Sequence, residues 1–245
     1  MSIRGKLEKL KEKRRPFCTM VIPAAGSARR MGGENKLLLQ INGIPVLMRT
    51  LAAVDQAAWV DEIVVATRED LLLEVADLCA HCAVHKPVRV VRGGDSRTAS
   101  VLAAAVEADP RAELIAIHDG ARPLVRPEMI DARVQAGART YAAAPAVSVT
   151  DTVKIADETG LVRSTPDRRT LFAVQTPQVF QADILKAALQ SALESGAEVT
   201  DDCAAVERLG KEVYLVEGDR ENIKITTPLD MDIARAILRR REGSL

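Results

Sequence analysis

The amino-acid sequence predicts an α/β fold in which a mainly parallel sheet is covered by helices and carries a projecting β-arm. Short aliphatic runs alternate with stretches whose apolar residues recur at helical spacing, which is the pattern of strand–helix–strand units. Aromatic residues make up only 2% of the 245-residue chain, so Ala, Val, Leu and Ile must build the core. Such residues suit parallel strands that are buried on both faces. After Tyr141 a polar, proline-containing segment interrupts the alternation, and this segment predicts the arm.

The first half of the chain contains four predicted strands and three predicted helices. Aliphatic runs place the strands at residues 17–22, 62–66, 88–91 and 114–117. Apolar residues at helical spacing place the helices at residues 46–58, 71–82 and 99–108. Because strand–crossover–strand connections are right-handed and short, this alternation implies a mainly parallel sheet.

The second half combines extended segments with helices. Residues 142–153 and 174–180 have an extended pattern, and the arm spans about residues 148–171, because its polar side chains cannot be buried under a helix-covered sheet. The remaining elements are helices at residues 182–195 and 201–209, a strand at 212–216 and a final helix at 228–241. Since the chain shows no repeat and no low-complexity linker, residues 17–245 are expected to form a single domain that follows a basic leader at residues 1–16.

The bulk composition argues against several classes of protein. Thirty-four basic residues balance 34 acidic residues, so we expect no binding to nucleic acid or to an anionic membrane surface. No stretch approaches the roughly 20 apolar residues that span a bilayer. The leader contains Glu8 and Glu12, which a targeting peptide would lack. The four cysteines are too few for a disulfide framework, so the reducing cytoplasm is the expected compartment.

A loop of small residues follows the first predicted strand. Residues 23–33 include three alanines and three glycines, and small residues let backbone N–H groups approach phosphates. Arg30 and Lys36 supply the positive charge that a triphosphate requires. The loop lacks the Gly-Lys-Ser/Thr of a P-loop and the G-x-G-x-x-G of a dinucleotide-binding fold. The alternative interpretation is an ordinary turn with two solvated cations.

Other polar motifs follow later strands. Residues 93–100 combine two glycines with a helix start, which can bind an anion or a polar base. Residues 118–123 place Asp119 at a strand end, where a carboxylate can bind Mg²⁺ together with water and phosphate oxygens. This set of oxygens and cations has no Cys or His nucleophile. It fits phosphoryl or nucleotidyl transfer, in which positioning and charge stabilisation supply most of the catalysis.

Taken in order, the motifs resemble those of the 2-C-methyl-D-erythritol 4-phosphate cytidylyltransferases of the non-mevalonate isoprenoid pathway. The series is P-A-A-G…R-M…K, G-G-D-x-R…S, H-D-x-A-R-P, D-T, D-R, T-P-Q and N-I-K-x-T, and it extends from about Phe17 to the last helix. The resemblance implies a Rossmann-like nucleotidyltransferase sheet, Mg²⁺ as cofactor, and CTP and a sugar-alcohol phosphate as substrates. It also implies a homodimer in which the β-arm reaches into the neighbouring active site.

The resemblance further implies roles for individual residues. Arg30 and Lys36 would stabilise charge on the α-phosphate, and Lys224 would position the methylerythritol phosphate together with Thr152 and Arg168 of the partner subunit. Asp119 and Arg122 would lie at the junction of the two substrates, with Asp119 a candidate Mg²⁺ ligand, directly or through water. The implied catalytic residues are Arg30, Lys36, Arg168 and Lys224. The other implied substrate-binding residues are Pro23, Ala24, Ala25, Gly26, Gly94, Asp95, Ser100, Gly120 and Thr176.

The first loop departs from the family pattern. Ala28 stands where the family usually has a second glycine, and Asn35 and Leu37 flank Lys36 where the family usually has Pro and Gln. These changes leave the cations in place and bear on the position of Lys36. Two alternatives stay open: a ribitol 5-phosphate cytidylyltransferase, and a nucleotide-binding module without catalytic activity.

Overall fold

The computed structural model describes residues 15–25 and 35–243. The predictions for the basic leader up to residue 14, and for Gly26 and Arg30 in the first loop, lie outside the described residues. In the part of the chain that is described, no helix is long and apolar enough to cross a membrane.

Strands and helices alternate along most of the chain. The strands are β1 (Phe17–Pro23), β2 (Gln40–Ile41), β3 (Ile44–Pro45), β4 (Glu62–Thr67), β5 (Val88–Arg92), β6 (Ala112–Ile117), β7 (Ala142–Ser148), β8 (Ile155–Ala156), β9 (Val162–Ser164), β10 (Phe172–Val174), β11 (Gln178–Gln181) and β12 (Tyr214–Glu217). The helices are α1 (Val46–Gln56), α2 (Leu72–His81), α3 (Arg97–Val106), α4 (Pro127–Thr140), α5 (Ala182–Glu194), α6 (Asp202–Arg208) and α7 (Pro228–Arg241). Single 3₁₀ turns occur at Glu69–Leu71 and Arg168–Thr170.

Eight strands form one mainly parallel sheet. Along the order β5, β4, β1, β6, neighbouring strands pair in parallel. β11 pairs antiparallel with both β6 and β7, so β7 runs parallel to β6, and β12 pairs in parallel with β7. β10 pairs antiparallel with β7 as well. From β1 the chain adds β4 and then β5 on one side, whereas β6 pairs with the other side of β1. Open α/β sheets bind their ligands at such a switch point.

Helices cover both faces of the sheet, which is why its strands are aliphatic throughout. Successive residues of β1 point to opposite faces, so Met20 and Ile22 belong to one core and Val21 to the other. Helices α1, α2, α4 and α7 contribute to the first core, and α3, α5 and α6 contribute to the second. The predicted α/β class, a mainly parallel sheet between helical layers, is confirmed.

Several elements differ from the prediction. The sequence analysis predicted no helix where α4 lies, although Pro127 at the helix start is a favourable first-turn residue. The extended segment predicted at residues 142–153 ends as a strand at Ser148. The segment predicted at 174–180 is divided into β10 and β11, and Pro177 between them cannot donate a hydrogen bond to a sheet.

Two hairpins lie outside the large sheet. Asn42 and Gly43 join β2 to β3 with φ angles of 49° and 76°, and Asn-Gly is a strong hairpin signal that the prediction overlooked. Within the predicted arm, β8 and β9 form a separate antiparallel hairpin whose strand residues are all exposed.

Close packing of α4 against β11 requires glycine at position 137. A Cβ atom added to Gly137 would lie 2.5 Å from Val179 Cγ1. We therefore expect Gly137→Ala to destabilise the protein, because overpacking of about 1–3 kcal/mol outweighs the gain in helix propensity of about 1 kcal/mol. Thermal unfolding measures the effect. The control is Arg139→Ala on the exposed side of the same helix, which should change stability by no more than about 0.5 kcal/mol. A Gly137→Ala protein as stable as the control would contradict the packing argument.

Candidate active site

A cavity of about 570 Å³ opens at the carboxyl ends of the central parallel strands, beside the switch point. Nine residues to which the sequence assigns substrate binding or catalysis line it. They are Pro23, Ala25, Lys36, Gly94, Asp95, Ser100, Asp119, Gly120 and Lys224. Motifs that are far apart in sequence therefore meet in one place, because each belongs to the segment that follows a strand of the sheet.

Three assigned residues are next to the cavity wall. Ala24 is buried, and its backbone N–H donates a 2.7 Å hydrogen bond to the carbonyl of Ala66. Arg122 and Thr176 do not line the cavity, but each contacts Asp119.

The two assigned arm residues are not brought to this cavity. Thr152 and Arg168 are exposed and are absent from its lining. The Arg168 guanidinium instead donates a 3.3 Å hydrogen bond to the carbonyl of Thr150 within the arm. Gly26 and Arg30 belong to the part of the first loop that is not described.

Small residues shape the turn between β5 and α3. A Cβ atom on Gly94 would lie 2.5 Å from the Cβ atom of Ala99, so the turn can pack against α3 only with glycine there. Ser96 caps the helix by accepting a 3.0 Å hydrogen bond from the Ala99 N–H. The Ser100 hydroxyl donates to the carbonyls of Gly94 at 3.2 Å and Ser96 at 2.8 Å, which fixes the backbone that lines the cavity.

Asp119 is the centre of the charged cluster. Its Oδ2 atom lies 2.9 Å from Lys224 Nζ and 3.4 Å from Arg122 Nε. Its Oδ1 atom lies 3.7 Å from a terminal guanidinium nitrogen of Arg97. Only 10% of the Asp119 side chain is exposed, and a buried carboxylate is tolerated because these cations surround it.

The three cations keep Asp119 ionised. Burial would raise the pKa of the Asp119 carboxyl, but the charges of Lys224, Arg97 and Arg122 together outweigh burial and hold the pKa well below its usual range. Burial lowers the pKa of the Arg122 guanidinium, which Asp119 partly offsets. Lys224 itself comes from the loop after β12. That loop is tied to the β6 loop because the Ile225 N–H donates to the Ala121 carbonyl at 2.8 Å.

A hydrogen-bond network holds the backbone of Asp119. Its N–H donates to Thr176 Oγ1 at 3.1 Å, and Thr176 Oγ1 lies 3.0 Å from His118 Nδ1. Burial lowers the pKa of His118 to about 4, so its imidazole is neutral near pH 7. Since Nε2 lies 3.3 Å from the Arg122 carbonyl, which only accepts, we place the proton on Nε2. The Thr176 hydroxyl then donates to Nδ1. The Asn222 side-chain amide donates to the Thr176 carbonyl at 2.8 Å and completes the network.

The sequence assignment missed two arginines that line the cavity. Arg97 lies within the quoted G-G-D-x-R motif, so a signal for it was present. It connects Asp119 to the buried carboxylate of Asp202, which accepts a 2.8 Å hydrogen bond from the Arg97 guanidinium. Arg68 follows β4 and pairs with Asp70, and no motif indicated it.

Asp119 is the assigned candidate for a metal ligand. Among the described residues, no group of three or more His, Cys, Asp or Glu side chains could hold a metal ion. A single carboxylate in a cavity still fits Mg²⁺, because Mg²⁺ is commonly bound by one or two carboxylates with waters and substrate phosphates. Of the two Asp119 oxygens, Oδ1 is the one suited to bind Mg²⁺, because its cationic neighbour Arg97 is beyond hydrogen-bonding distance.

Comparison with known proteins identifies the family of the chain. The family model for 2-C-methyl-D-erythritol 4-phosphate cytidylyltransferase (IspD) matches residues 18–240. The chain belongs to this family. Its members are nucleotidyltransferases, as the motifs predicted, and membership favours the methylerythritol enzymes over the ribitol 5-phosphate alternative.

Individual members of the cytidylyltransferase family match nearly the whole chain. The 2-C-methyl-D-erythritol 4-phosphate cytidylyltransferase of Caldanaerobacter subterraneus is 44% identical over 226 residues, covering 90% of this chain and 98% of that protein. The protein of the same name from Desulforamulus reducens is 46% identical and covers 90% of this chain and 95% of its own length. The crystal structure of 4-diphosphocytidyl-2C-methyl-D-erythritol synthase from Anaerococcus prevotii superposes with a TM-score of 0.82 at 32% identity, covering 92% of this chain and 100% of that one.

The Thr176 hydroxyl is expected to matter for both stability and activity. Thr176→Val keeps the shape of the side chain but leaves the Asp119 N–H and His118 Nδ1 without this partner. We expect a loss of about 1–3 kcal/mol in the free energy of unfolding. Displacement of Asp119 should also lower kcat by about tenfold or more.

Denaturant unfolding and steady-state kinetics measure the two effects of Thr176→Val. The matched control is Thr140→Val, because that hydroxyl donates to the carbonyls of Ala136 and Ala142, away from the cavity. The control should keep its kcat. A Thr176→Val enzyme with normal kcat would show that the hydroxyl does not position Asp119.

Proposed function

We propose that the protein transfers CMP from CTP to 2-C-methyl-D-erythritol 4-phosphate, giving CDP-methylerythritol and pyrophosphate. The observation that carries this proposal is the Asp119 cluster in the switch-point cavity, with Lys36 and Lys224 lining the same space. A cavity lined by several cations suits two phosphorylated substrates. Membership of the cytidylyltransferase family supports the choice of CTP and methylerythritol phosphate.

The reaction is an in-line displacement at the α-phosphorus of CTP. An oxygen of the methylerythritol phosphate forms the new bond to phosphorus, the bond between the α-phosphorus and the bridging oxygen breaks, and pyrophosphate leaves. Lys36, together with Arg30, offsets the charge that grows on the α-phosphoryl group. The β5–α3 turn, with Gly94, Asp95 and Ser100, contacts the cytosine and ribose, and Lys224 orients the attacking phosphate.

We include Mg²⁺ as the cofactor. Asp119 would hold it through Oδ1, directly or through a water molecule, while Oδ2 remains with Lys224 and Arg122. When bound, the ion supplies positive charge to the triphosphate oxygens. The side chains of the cluster bind and orient the substrates.

We also propose a homodimer whose arms complete the sites. The arm hairpin presents exposed apolar side chains, Ile155, Leu161 and Val162. Contact with a second copy of the chain would remove these apolar side chains from water. Thr152 and Arg168 of the partner subunit would then approach the methylerythritol phosphate, which Arg168 can bind through two parallel hydrogen bonds.

The cytoplasm is the proposed compartment, because Cys18, Cys79, Cys82 and Cys203 are free thiols.

Pyrophosphate release with a panel of substrates tests the proposed reaction. CTP with 2-C-methyl-D-erythritol 4-phosphate should be turned over well above ATP, GTP or UTP with the same acceptor, and above CTP with ribitol 5-phosphate. The physical reason is that the backbone near Gly94 and Asp95 can read the cytosine edge. Equal turnover of the four nucleotides would reject the assignment, and preference for ribitol 5-phosphate would move it to the alternative enzyme.

The cations near the α-phosphate should act mainly in the transition state. Lys36→Ala and Arg30→Ala are each expected to lower kcat by roughly 100-fold or more. Lys86→Ala, a cation outside the cavity, is the control and should retain its kcat. Steady-state kinetics separate kcat from KM. A defect limited to a modest rise in KM would mean that the residue binds the ground-state substrate only.

The shared-site arrangement is tested by mixing two inactive variants. Lys36→Ala and Arg168→Ala should each be nearly inactive alone. In a mixed dimer, one site receives both defects and the other receives neither, so activity should partly return. Subunit exchange is verified with differently tagged chains. If exchange occurs and no activity returns, Arg168 does not act on the partner's site.

A further inference from the structure

We propose that Asp202 is a positioning residue that holds the Arg97 guanidinium beside the Asp119 carboxylate without letting it occupy the Asp119 oxygens. The inference rests on the proposed function, because it concerns how that site is kept ready for its phosphorylated substrates. It adds to the reaction a residue that does not line the cavity and acts through Arg97.

Asp202 is a buried carboxylate held by one charge-assisted contact. Its side chain is 1% exposed, and its Oδ2 atom accepts a 2.8 Å hydrogen bond from Arg97. Among the described residues, its Oδ1 atom has no hydrogen-bond partner. A buried carboxylate is costly unless it is paired with a cation, so Arg97 is drawn firmly toward Asp202.

Arg97 lies between two carboxylates at unequal distances. The same terminal nitrogen is 2.8 Å from Asp202 Oδ2 and 3.7 Å from Asp119 Oδ1. The first distance is a hydrogen bond and the second is an ion-pair contact only. Arg97 therefore supports the charge of Asp119 electrostatically, while Asp119 Oδ1 stays available to groups in the cavity.

Without the Asp202 charge, the Arg97 guanidinium would hydrogen-bond to the Asp119 carboxylate instead. Arginine prefers two parallel hydrogen bonds to a carboxylate, and among the described residues Asp119 is the other carboxylate within 4 Å of Arg97. Closure of Arg97 onto Asp119 would compete with Lys224, which lies 2.9 Å from Oδ2, and with the bound substrates.

The role of Asp202 differs from that of its neighbour Asp201 at the start of α6. Asp201 caps the helix, accepting hydrogen bonds from the Ala204 N–H at 2.9 Å and from the Gln178 side chain at 2.8 Å. Asp202 instead bonds across to α3 through Arg97. Asp201→Asn is therefore a matched control that removes one negative charge from the same helix turn.

A double-mutant cycle tests the inference. Asp202→Asn is expected to lower kcat/KM for CTP by about tenfold or more, whereas Asp201→Asn should stay within about twofold of the unaltered protein. Arg97→Gln should also lower kcat/KM. The decisive variant combines Asp202→Asn with Arg97→Gln, and it should match Arg97→Gln alone, because Asp202 acts through Arg97. A combined loss equal to the product of the two single losses would overturn the proposal.

Calorimetric titration with CTP, repeated on the same variants, tests the inference without catalysis. The dissociation constants should show the same non-additivity, so the test does not depend on the acceptor. An unaltered protein that binds CTP but releases no pyrophosphate with methylerythritol phosphate would reject the proposed function alone, and one that binds no CTP would overturn the inference as well.

Thermal unfolding establishes that each variant is folded. If Asp202→Asn does not fold, Arg97→Lys decides the matter. A lysine keeps the charge but replaces the rigid, planar guanidinium with a point charge on a flexible stem. It should therefore not hold one nitrogen fixed on Asp202 and beside Asp119, and its kcat/KM and CTP affinity should fall as far as those of Arg97→Gln. Full activity of Arg97→Lys would show that charge alone is needed and would overturn the proposal.

Discussion

The pairing of one nearly buried carboxylate with three cations determines how this site is built. Asp119 can stay ionised inside the protein only because Lys224, Arg97 and Arg122 approach it. These cations come from three separate parts of the chain: the loop after β12, the start of α3 and the loop after β6 itself. Satisfying a single charge therefore ties together loops that the sheet alone would leave independent.

The same charges explain what the cavity is suited to bind. Among the described residues, its charged lining consists of Lys36, Arg68, Arg97, Lys224, Asp95 and Asp119. Basic side chains that line a cavity can form charge-assisted hydrogen bonds with phosphate oxygens, while the small residues of the β1 and β5 turns let backbone groups come close to a ligand. The parallel sheet makes this possible, because its strand ends converge at one edge and leave that edge to loops.

The sequence predicts those features whose signals are local. Aliphatic runs identify the parallel strands, and the polar motifs directly behind them identify most of the cavity lining, since a strand and its following loop are adjacent in both sequence and space. The Arg97–Asp202 pair spans 105 residues and has no local signal. Helix α4 was missed although Pro127 marks its start. Thr152 and Arg168 lie away from the cavity of their own chain, so their assignment rests on the motif resemblance and stays a prediction.

Two kinds of interaction hold Asp119, and Arg122 takes part in both. The backbone of Asp119 is fixed by the neutral hydrogen bonds of Thr176, His118 and Asn222, and its side chain is fixed by ion pairs. Lysine and arginine form strong hydrogen bonds with phosphate oxygens as well as with carboxylates, whereas the neutral network is buried behind the cavity wall. The hydrogen bond from the Asp119 N–H to Thr176 thus holds the backbone of Asp119 separately from the ion pair with Lys224. Under the proposed function, charged groups held in this way are preorganised, which is what charge stabilisation in a transition state requires.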